Sequence, residues 1–414
     1  MKKLSAFTVL SLLLMLMVLP SARLAAYDRG LLLEQTASLE NNGNGDLADG
    51  LYYSGTLIPW FSAPVSETGK FYVSLGLTAE AKKNYGAFIP ELLRTDFSRR
   101  IGNDRGFTAG RMLYSDPSGF ILNGLLDGAR FTADTGFGTF GIGIWYTGLL
   151  YKRNTQITMT NGDTDLCYGD LDYANFINTY FTSRRLIAAL DLNNPHAADW
   201  LRLKLSLIGQ FDLNGRNDIY HSQYLTAKGS VPYGDFIFNA TACITTAQIT
   251  KPGNDMQFKT GFAGELCCIW MLPTAVQDHL SFTGRFSGGT PDDTNFLTAF
   301  VPITTTPNGD ILKAKLSGLS MLRLEYTAKP DESLILGLAN SYFILSDLGT
   351  WQGQFAGRDG HFLGNEISGR VIWSPFSDLR ITLEGGIFLP SLGNADSRAD
   401  PFWRAELNAI LVFF

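Results

Sequence analysis

The histidines of this chain are the side chains best suited to acid–base or metal chemistry, and their spacing supports neither. His196, His221, His279 and His361 stand far apart, and no G-x-S-x-G, H-E-x-x-H or phosphate-loop spacing occurs. A hydrolase site at one rim of a fold would need His221 or His361 beside a serine or an aspartate. The sequence therefore predicts no catalytic residue, no metal site and no cofactor, and we expect that the protein is not an enzyme.

The four cysteines lack the spacing of a redox or zinc site. Cys267 and Cys268 are adjacent, so on a strand they point to opposite faces, and Cys167 and Cys243 stand alone. No C-x-x-C pair occurs. Buried or lipid-facing thiols are expected, and a disulfide between two of the four remains open in an oxidising compartment.

The overall composition excludes two further classes of protein. The formal charge of −6 argues against a globally basic nucleic-acid binder, so we expect no nucleic acid partner. The chain is 45% hydrophobic, yet after residue 26 no stretch approaches the roughly 18 consecutive apolar residues of a membrane helix. Apolar residues spread this evenly are typical either of a large soluble β protein or of a barrel whose strands show lipid half of their side chains.

Charged residues recur on one face of segments that alternate in polarity. In residues 200–212, Leu201 and Leu203 alternate with Arg202 and Lys204, and residues 70–82, 138–152, 315–327 and 379–388 repeat this pattern. Because side chains alternate between the two faces of a strand, one face is apolar and the other polar. Segments of about 10 to 16 residues with this pattern are typical of transmembrane strands.

The polar faces of these segments predict the lining of a lumen. Basic residues outnumber acidic ones there, which predicts a weak preference for anions. The alternative is that these charges pair with their neighbours and hold the wall. The candidates for the solute path are Arg94, Arg100, Arg111, Asn123, Asp127, Arg202, Lys204, Lys315, Arg323, Glu325, Arg370, Arg380 and Glu384.

The two ends of the chain carry recognisable patterns. Residues 1–26 combine two lysines, a short apolar run and small residues, which predicts a signal peptide removed after Ala26. The last strand has one apolar face, and it resembles the C-terminal assembly signal of bacterial outer-membrane β-barrels, although Phe414 falls one residue out of the alternation. The residues of this predicted assembly signal are Trp403, Leu407, Leu411, Phe413 and Phe414.

The whole pattern predicts an all-β fold, a closed antiparallel transmembrane barrel of about 18 strands, with 16 as the alternative. Long polar loops are expected at one end of the barrel and short turns at the other. The long loops are residues 41–49, 153–169, 289–310, 347–360 and 391–400. The strands are expected near 28–40, 49–62, 69–83, 88–100, 106–115, 119–132, 138–153, 172–190, 199–213, 218–229, 234–249, 256–272, 278–288, 313–328, 333–346, 361–374, 379–390 and 401–414.

One internal hairpin carries a resemblance to a family. Gly110-Arg111, the turn at residues 116–119 and the run from Leu126 to Arg130 are similar to a hairpin of the alginate-export-type outer-membrane porins. A turn centred near Pro117 puts Arg111 roughly opposite Asn123. The resemblance implies an 18-stranded barrel with a charged lumen, passive passage of a charged solute, and a lumenal place for Arg111 and Arg130. The acidic net charge departs from a strongly basic channel.

These observations predict one barrel domain, residues 27–414, in the bacterial outer membrane. It would act as a porin-like channel for passive diffusion of small or medium charged solutes. The expected partners are outer-membrane lipid, the barrel-assembly machinery and a small charged solute, and monomer and trimer both remain open. Two alternatives remain: a substrate-specific porin for a sugar or hydrophobic ligand, plugged by a loop, and a surface adhesin or structural barrel whose outer loops bind a ligand.

Overall fold

The computed structural model describes residues 27–41, 50–83, 85–215, 219–250, 256–289, 300–304, 306–347, 360–395 and 400–413. The predicted signal peptide and Phe414 lie outside these residues. The described strands form one closed antiparallel sheet of 18, which confirms the predicted strand number. They are β1 Asp28–Glu40, β2 Leu51–Ser66, β3 Gly69–Lys82, β4 Tyr85–Ile101, β5 Arg105–Ser115, β6 Asn123–Thr135, β7 Gly138–Tyr146, β8 Arg185–Ala198, β9 Leu201–Asp212, β10 Ile219–Tyr233, β11 Phe236–Thr250, β12 Gln257–Met271, β13 His279–Ser287, β14 Leu319–Asp331, β15 Leu334–Leu345, β16 Phe362–Phe376, β17 Leu379–Leu389 and β18 Phe402–Phe413.

The first and last strands close the barrel. β1 pairs with β18 from Leu31↔Phe413 to Glu40↔Arg404, and its other edge pairs with β2. Each of the two strands therefore has a neighbour on both sides. Closure of this kind satisfies the backbone groups that an open sheet edge would expose to lipid.

The connections differ in length between the two ends of the barrel. At the end that holds both termini of the sheet, called the terminal end, six turns have two residues, as in Gly136-Phe137 and Gly234-Asp235. At the opposite end, called the loop end, residues 147–184 join β7 to β8, and residues 288–318 join β13 to β14. This asymmetry was predicted from the spacing of turn residues and polar stretches.

The predicted strand bounds were furthest from the observed ones at the connection of residues 147–184, called the strap. β7 ends at Tyr146 rather than at residue 153, and β8 begins at Arg185 rather than at residue 172. Three short helices lie between them, α1 Lys152–Thr155, α2 Asn161–Tyr168 and α3 Phe176–Tyr180. Helix α2 begins with a capping box between Thr160 and Asp163, which satisfies its first free N–H groups locally. A local cap of this kind favours a helix where alternation alone suggested a strand.

The alternation of side chains separates an apolar exterior from a filled interior. On β7, Phe140, Ile142 and Ile144 are exposed on the outer face, whereas Trp145 is buried inside. Among the described residues, no helix is long and apolar enough to span a membrane.

Two connections from the loop end fold into the barrel and pack on its inner wall. Residues 300–304 and 306–318 of the β13–β14 connection, called the plug, contribute Phe300 and Ile303 to an interior cluster, where they meet Phe120 of the β5–β6 connection and Tyr224 of β10. The rings of Phe120 and Phe300 are 6.3 Å apart. Each such fully buried side chain contributes about 1.5–3 kcal/mol. The strap and the plug therefore narrow the lumen by hydrophobic packing.

Candidate functional site

A cavity of about 590 Å³ lies against the inner face of β1–β4 in the loop-end half of the barrel, and we call it the chamber. Its wall carries the carboxylates of Glu34, Glu80 and Glu91, with Thr56 and Thr78 between them. The strap forms the facing side. The lining residues from the strap are Tyr151, Arg153, Asn154, Gln156, Cys167 and Tyr168.

The cations at the chamber are already paired with carboxylates. Arg153 Nη1 lies 2.7 Å from Glu80 Oε2, and Lys82 Nζ lies 3.1 Å from Asp170 Oδ1. Burial and the Glu80 carboxylate act in opposite directions on the Arg153 pKa, and the net effect raises it. Arg153 therefore stays charged and fixes the strap to the loop end of β3.

Two chamber carboxylates have amide neighbours instead of cations. Asn408 Nδ2 donates to Glu34 Oε1 at 3.2 Å, and Asn154 Nδ2 donates to Glu91. Among the described residues, neither Glu34 nor Glu91 has a basic group within ion-pair distance. The chamber therefore holds two carboxyl groups, those of Glu34 and Glu91, without a counter-ion in the described chain, which the sequence did not predict.

Between the chamber and the terminal end, a cluster of aromatic and basic side chains lines the inner face of β2–β4. The rings of Trp60 and Tyr72 stack with centroids 6.2 Å apart, and the Arg94 guanidinium lies 4.6 Å from the Tyr72 centroid. Arg94 also pairs with Asp96, whose side chain is buried. Nearly half of the Arg94 side chain remains exposed. This places the predicted solute-path residue Arg94 on the lumenal wall, with a free side toward a passing solute.

The terminal end opens into a vestibule of about 930 Å³. Arg100, another predicted solute-path residue, lines it together with Lys70, Arg99 and Arg105. The acidic lining residues are Asp28, Glu67 and Asp134. The vestibule therefore has a small basic excess.

The clearest basic surface lies on the inner face of β9 and β10. Arg202 and Lys204 have the same parity as Ser206 and Ile208, which are buried inside the barrel. Lys204 stands directly across from Lys228 of β10. In the described part of the chain, none of these three bases lies within 4.0 Å of a carboxylate. We call Arg202, Lys204 and Lys228 the basic wall.

Lys228 was missing from the sequence-based candidates. Its position in the alternating segment 218–229, with the same parity as Tyr224 and Thr226, was the available signal. Like charges directly opposite each other on a sheet repel, so an anion between Lys204 and Lys228 is favourable.

Arg111 and Asp127, both predicted to line the lumen, lie elsewhere. Arg111 has the parity of Leu113, whose side chain is 67% exposed on the outer face, whereas Tyr114 points inward. The pairing register puts Arg111 opposite Asp127, and Ser115 rather than Arg111 opposite Asn123. The error came from assuming a tight turn at Pro117, because the connection spans residues 116–122.

Arg111 and Asn123 hold connections in place. Arg111 forms a two-point ion pair with Asp127, with both contacts at 2.7 Å, and its Nη2 also donates to Leu149 O at 3.0 Å. The backbone N–H of Asn123 donates to Thr304 Oγ1 of the plug at 2.9 Å. The Arg111 side chain is therefore not free for a solute, whereas Asn123 is bound through its backbone and its side chain is exposed.

Three predicted lumenal residues face inward and anchor the plug. Arg323 of β14 reaches Asp310 of the plug at 2.9 Å and Glu325 at 3.1 Å. Arg370 of β16 lies 3.4 Å from the other oxygen of Glu325. Their inward placement agrees with the predicted alternation, and their pairing agrees with the alternative that such charges hold the structure together.

Lys315 is in the plug rather than in a strand, because β14 begins only at Leu319. Its Nζ donates to Thr158 O of the strap at 2.6 Å. Burial lowers the pKa of Lys315 to about 8, although the Asp163 carboxylate acts in the opposite direction. Lys315 therefore joins the two connections that narrow the lumen.

Arg380 and Glu384 of β17 share the inward parity of Thr382, as predicted. Glu384 stands directly across from Arg370 on one side and from Glu406 on the other. Glu406 in turn is held by Arg404 at 2.6 Å. Among the described residues, neither Arg380 nor Glu384 has an ion-pair partner within 4.0 Å.

No metal-binding cluster is found among the described residues, because no three His, Cys, Asp or Glu side chains come together. All four cysteines are free, so the disulfide that the sequence left open is not formed. Cys167 and Cys243 are buried.

Comparisons with known proteins show the fold. No family model matches the chain, and no curated protein matches it significantly in sequence. Solved structures do match. OccK5 (OpdH) of Pseudomonas aeruginosa has a TM-score of 0.60 at 10% identity, covering 94% of this chain and 98% of that one.

Two further neighbours were solved with small molecules. OccK2 (OpdF) of Pseudomonas aeruginosa in complex with glucuronate has a TM-score of 0.60 at 13% identity, and covers 94% of this chain and 97% of its own. OpdK of the same organism with vanillate has a TM-score of 0.59 at 10% identity, and covers 94% and 99%. At these identities the likeness establishes a porin-like barrel fold. It does not support the alginate-export-type family specifically.

Proposed function

We propose that this protein is an outer-membrane channel for passive diffusion of small or medium charged solutes, with a weak preference for anions. The basic wall is the observation that carries this proposal. Arg202, Lys204 and Lys228 face the lumen, and none of them is neutralised by a carboxylate within 4.0 Å in the described chain. Unpaired charges on a pore wall raise the local concentration of counter-ions, which here are anions.

The fold neighbours support this solute class. OccK2 is described in complex with glucuronate, and OpdK with vanillate. Both molecules are small carboxylates. A carboxylate would find ammonium and guanidinium partners on the basic wall and at Arg94 and Arg100.

The narrowed lumen favours a selective channel over a wide one. The strap and the plug pack inside the barrel, and two cavities between described residues measure about 590 and 930 Å³. Cavities of this size fit molecules of the size of a monosaccharide or a small aromatic acid. This observation also favours the second candidate, a substrate-specific porin whose lumen is partly plugged by loops.

The outer-membrane location is part of the proposal. The outward faces of β7 and its neighbours are apolar, and Leu407 and Phe413, two residues of the proposed assembly signal, are exposed on the outer face of β18. In this arrangement the terminal end faces the periplasm, the barrel-assembly machinery inserts the chain, and residues 1–26 are removed as a signal peptide. The protein would have no enzymatic role.

A planar-bilayer recording tests the function. Open steps are expected, with a reversal potential in a salt gradient that indicates anion preference. Lys204→Gln combined with Lys228→Gln should shift the reversal potential toward cations, while Lys329→Gln at the terminal rim should not. Clear cation selectivity of the unmodified protein would contradict the anion preference, and a silent bilayer would support the adhesin or structural alternative.

A further inference from the structure

The half of β4 nearer the loop end has no partner strand on its β5 side in the described chain. β4 pairs with β5 only from Thr95↔Arg111 to Ile101↔Arg105, although β4 continues to Tyr85 and stays paired with β3 along that length. We call this interval, residues 85–94 of β4 facing residues 112–115 of β5, the seam. A barrel wall in lipid does not leave such an edge uncovered, because its backbone groups need hydrogen-bond partners.

Side chains close the seam in place of a strand. The N–H of Phe88 donates to Tyr173 Oη at 2.7 Å, and Tyr173 Oη donates to Phe88 O at 2.8 Å. Tyr180 Oη donates to Pro90 O at 2.7 Å, and Arg111 Nη1 donates to Leu92 O. Every second residue of a strand directs its backbone N–H and C=O groups to the same edge, and in the seam these residues are 88, 90 and 92. Pro90 has no N–H, so it leaves no donor unpaired at this edge. The strap therefore covers this edge through two phenol groups.

The seam lies at the level of the apolar outer band. On β3, the residues beside it are Leu75, Leu77 and Ala79, which pair with Leu92, Pro90 and Phe88 and share the outward face of that strand. The exposed side chains around the seam are also apolar: Phe88, Leu113, Leu149 and Ile177. Lipid tails or other apolar chains are thus expected against this surface.

The inner side of the same seam is the chamber. Ile89 and Glu91 of β4 and Tyr151 of the strap are buried and line the chamber. Within the described residues, Glu91 Oε1 and Tyr151 Oη have no hydrogen-bond partner. Among the same described residues, Glu34 and Glu91 also lack an ion-pair partner. Buried polar atoms without partners, beside two carboxylates, suit a ligand with a cationic head.

We propose that the seam is a lateral portal, through which molecules with a cationic head and an apolar tail pass between the outer surface of the barrel and the chamber. The head lies near Glu34 and Glu91, and the tail lies between Ile89 and the outward apolar side chains. Opening requires the strap to release the hydrogen bonds of Tyr173 and Tyr180, whereas the paired strands elsewhere would have to break a backbone ladder. This route is separate from the aqueous path for anions and does not depend on it.

The test compares an open seam with a locked one in proteoliposomes. The four native cysteines are first replaced by alanine, and Phe88→Cys and Tyr173→Cys are then joined by a short bismaleimide. The control pair is Phe282→Cys and Leu324→Cys, which are directly opposed on the outer face of β13 and β14. The probe is octyltrimethylammonium, with tetramethylammonium as the tailless comparison and arabinose swelling as the measure of the aqueous path.

Locking the seam should slow octyltrimethylammonium uptake at least fivefold relative to the same variant before cross-linking, while arabinose swelling changes less than twofold. The cross-linked control pair should alter neither. Tyr173→Phe combined with Tyr180→Phe should instead speed octyltrimethylammonium uptake. Equal octyltrimethylammonium uptake before and after locking would overturn the portal, and so would a parallel loss of arabinose swelling, because the aqueous lumen would then be the common route.

Discussion

Arg185 Nη2 donates to Asp163 Oδ2, and both side chains are completely buried inside the barrel. Arg185 is the first residue of β8, and Asp163 is in helix α2 of the strap. A second carboxylate, that of Asp212, lies 2.8 Å from Arg185 Nη1. The strap is thus tied to the wall by a buried charged contact, which is sensitive to the loss of either partner.

Asp163→Asn should loosen the strap. The neutral amide no longer balances the Arg185 charge, but the Asp212 carboxylate remains, so the cost should stay below the roughly 3–5 kcal/mol of a buried charge left without any partner. We expect a lower urea midpoint for unfolding from lipid vesicles and a larger single-channel conductance. Asp165→Asn, on an exposed site of the same helix, is the control and should change neither. An unchanged midpoint and conductance in the Asp163 variant would show that the strap is held by other contacts.

Glu366 should be equally important for the plug. Its buried carboxylate accepts backbone N–H groups of Asp310, Ile311 and Leu312 at 2.7, 3.0 and 2.8 Å. Glu366→Gln replaces one acceptor oxygen with a donor that faces an N–H, which should cost about 1–3 kcal/mol. Larger and noisier current steps in a bilayer recording are expected. The control is Glu384→Gln on the neighbouring strand, and equal noise in both variants would argue against a plug anchored by Glu366.

Lys315 predicts a dependence of stability on pH. Its pKa in the folded protein is lowered to about 8, below the ordinary value for lysine, so between pH 8 and about 10.4 the unfolded chain binds more protons than the folded one. Stability should therefore rise with pH through this window. Lys315→Met should remove that part of the slope, measured as the difference in urea midpoint between pH 7.5 and 10. A slope that is the same in both proteins would contradict the assignment to Lys315.

The regular parts of this structure were predictable because they depend on local alternation. The period of two in segments such as residues 200–212 fixes which side chains face lipid, and it located Arg202 and Lys204 on the lumenal wall. The strap and the seam were not predictable. Arg111 reaches Leu92 and Leu149, and Phe88 meets Tyr173, through contacts between segments that are distant in sequence. No local period encodes such contacts.

Arg94 of β4, on a different part of the lumenal wall from the basic wall, should also influence the selectivity between anions and cations. Its guanidinium rests on Tyr72 and pairs with Asp96, and about half of its side chain faces the lumen. Arg94→Gln removes one lumenal positive charge and should lower the ratio of anion to cation permeability about twofold, read from reversal potentials. Lys329→Gln, at the terminal rim and outside the vestibule lining, is the control. A shift of equal size in the control would mean that overall charge, rather than position, sets selectivity.

The outward face of β18 should tolerate charge according to depth. Leu407 and Phe413 are both exposed on this face, but Leu407 is near the middle of the strand and Phe413 is at its end. An arginine at the midplane of a bilayer costs about 2–4 kcal/mol, whereas one near the interface costs about 0–1 kcal/mol. Leu407→Arg should therefore lower the urea midpoint in vesicles much more than Phe413→Arg. Similar losses for both would mean that this face of β18 does not cross a lipid bilayer.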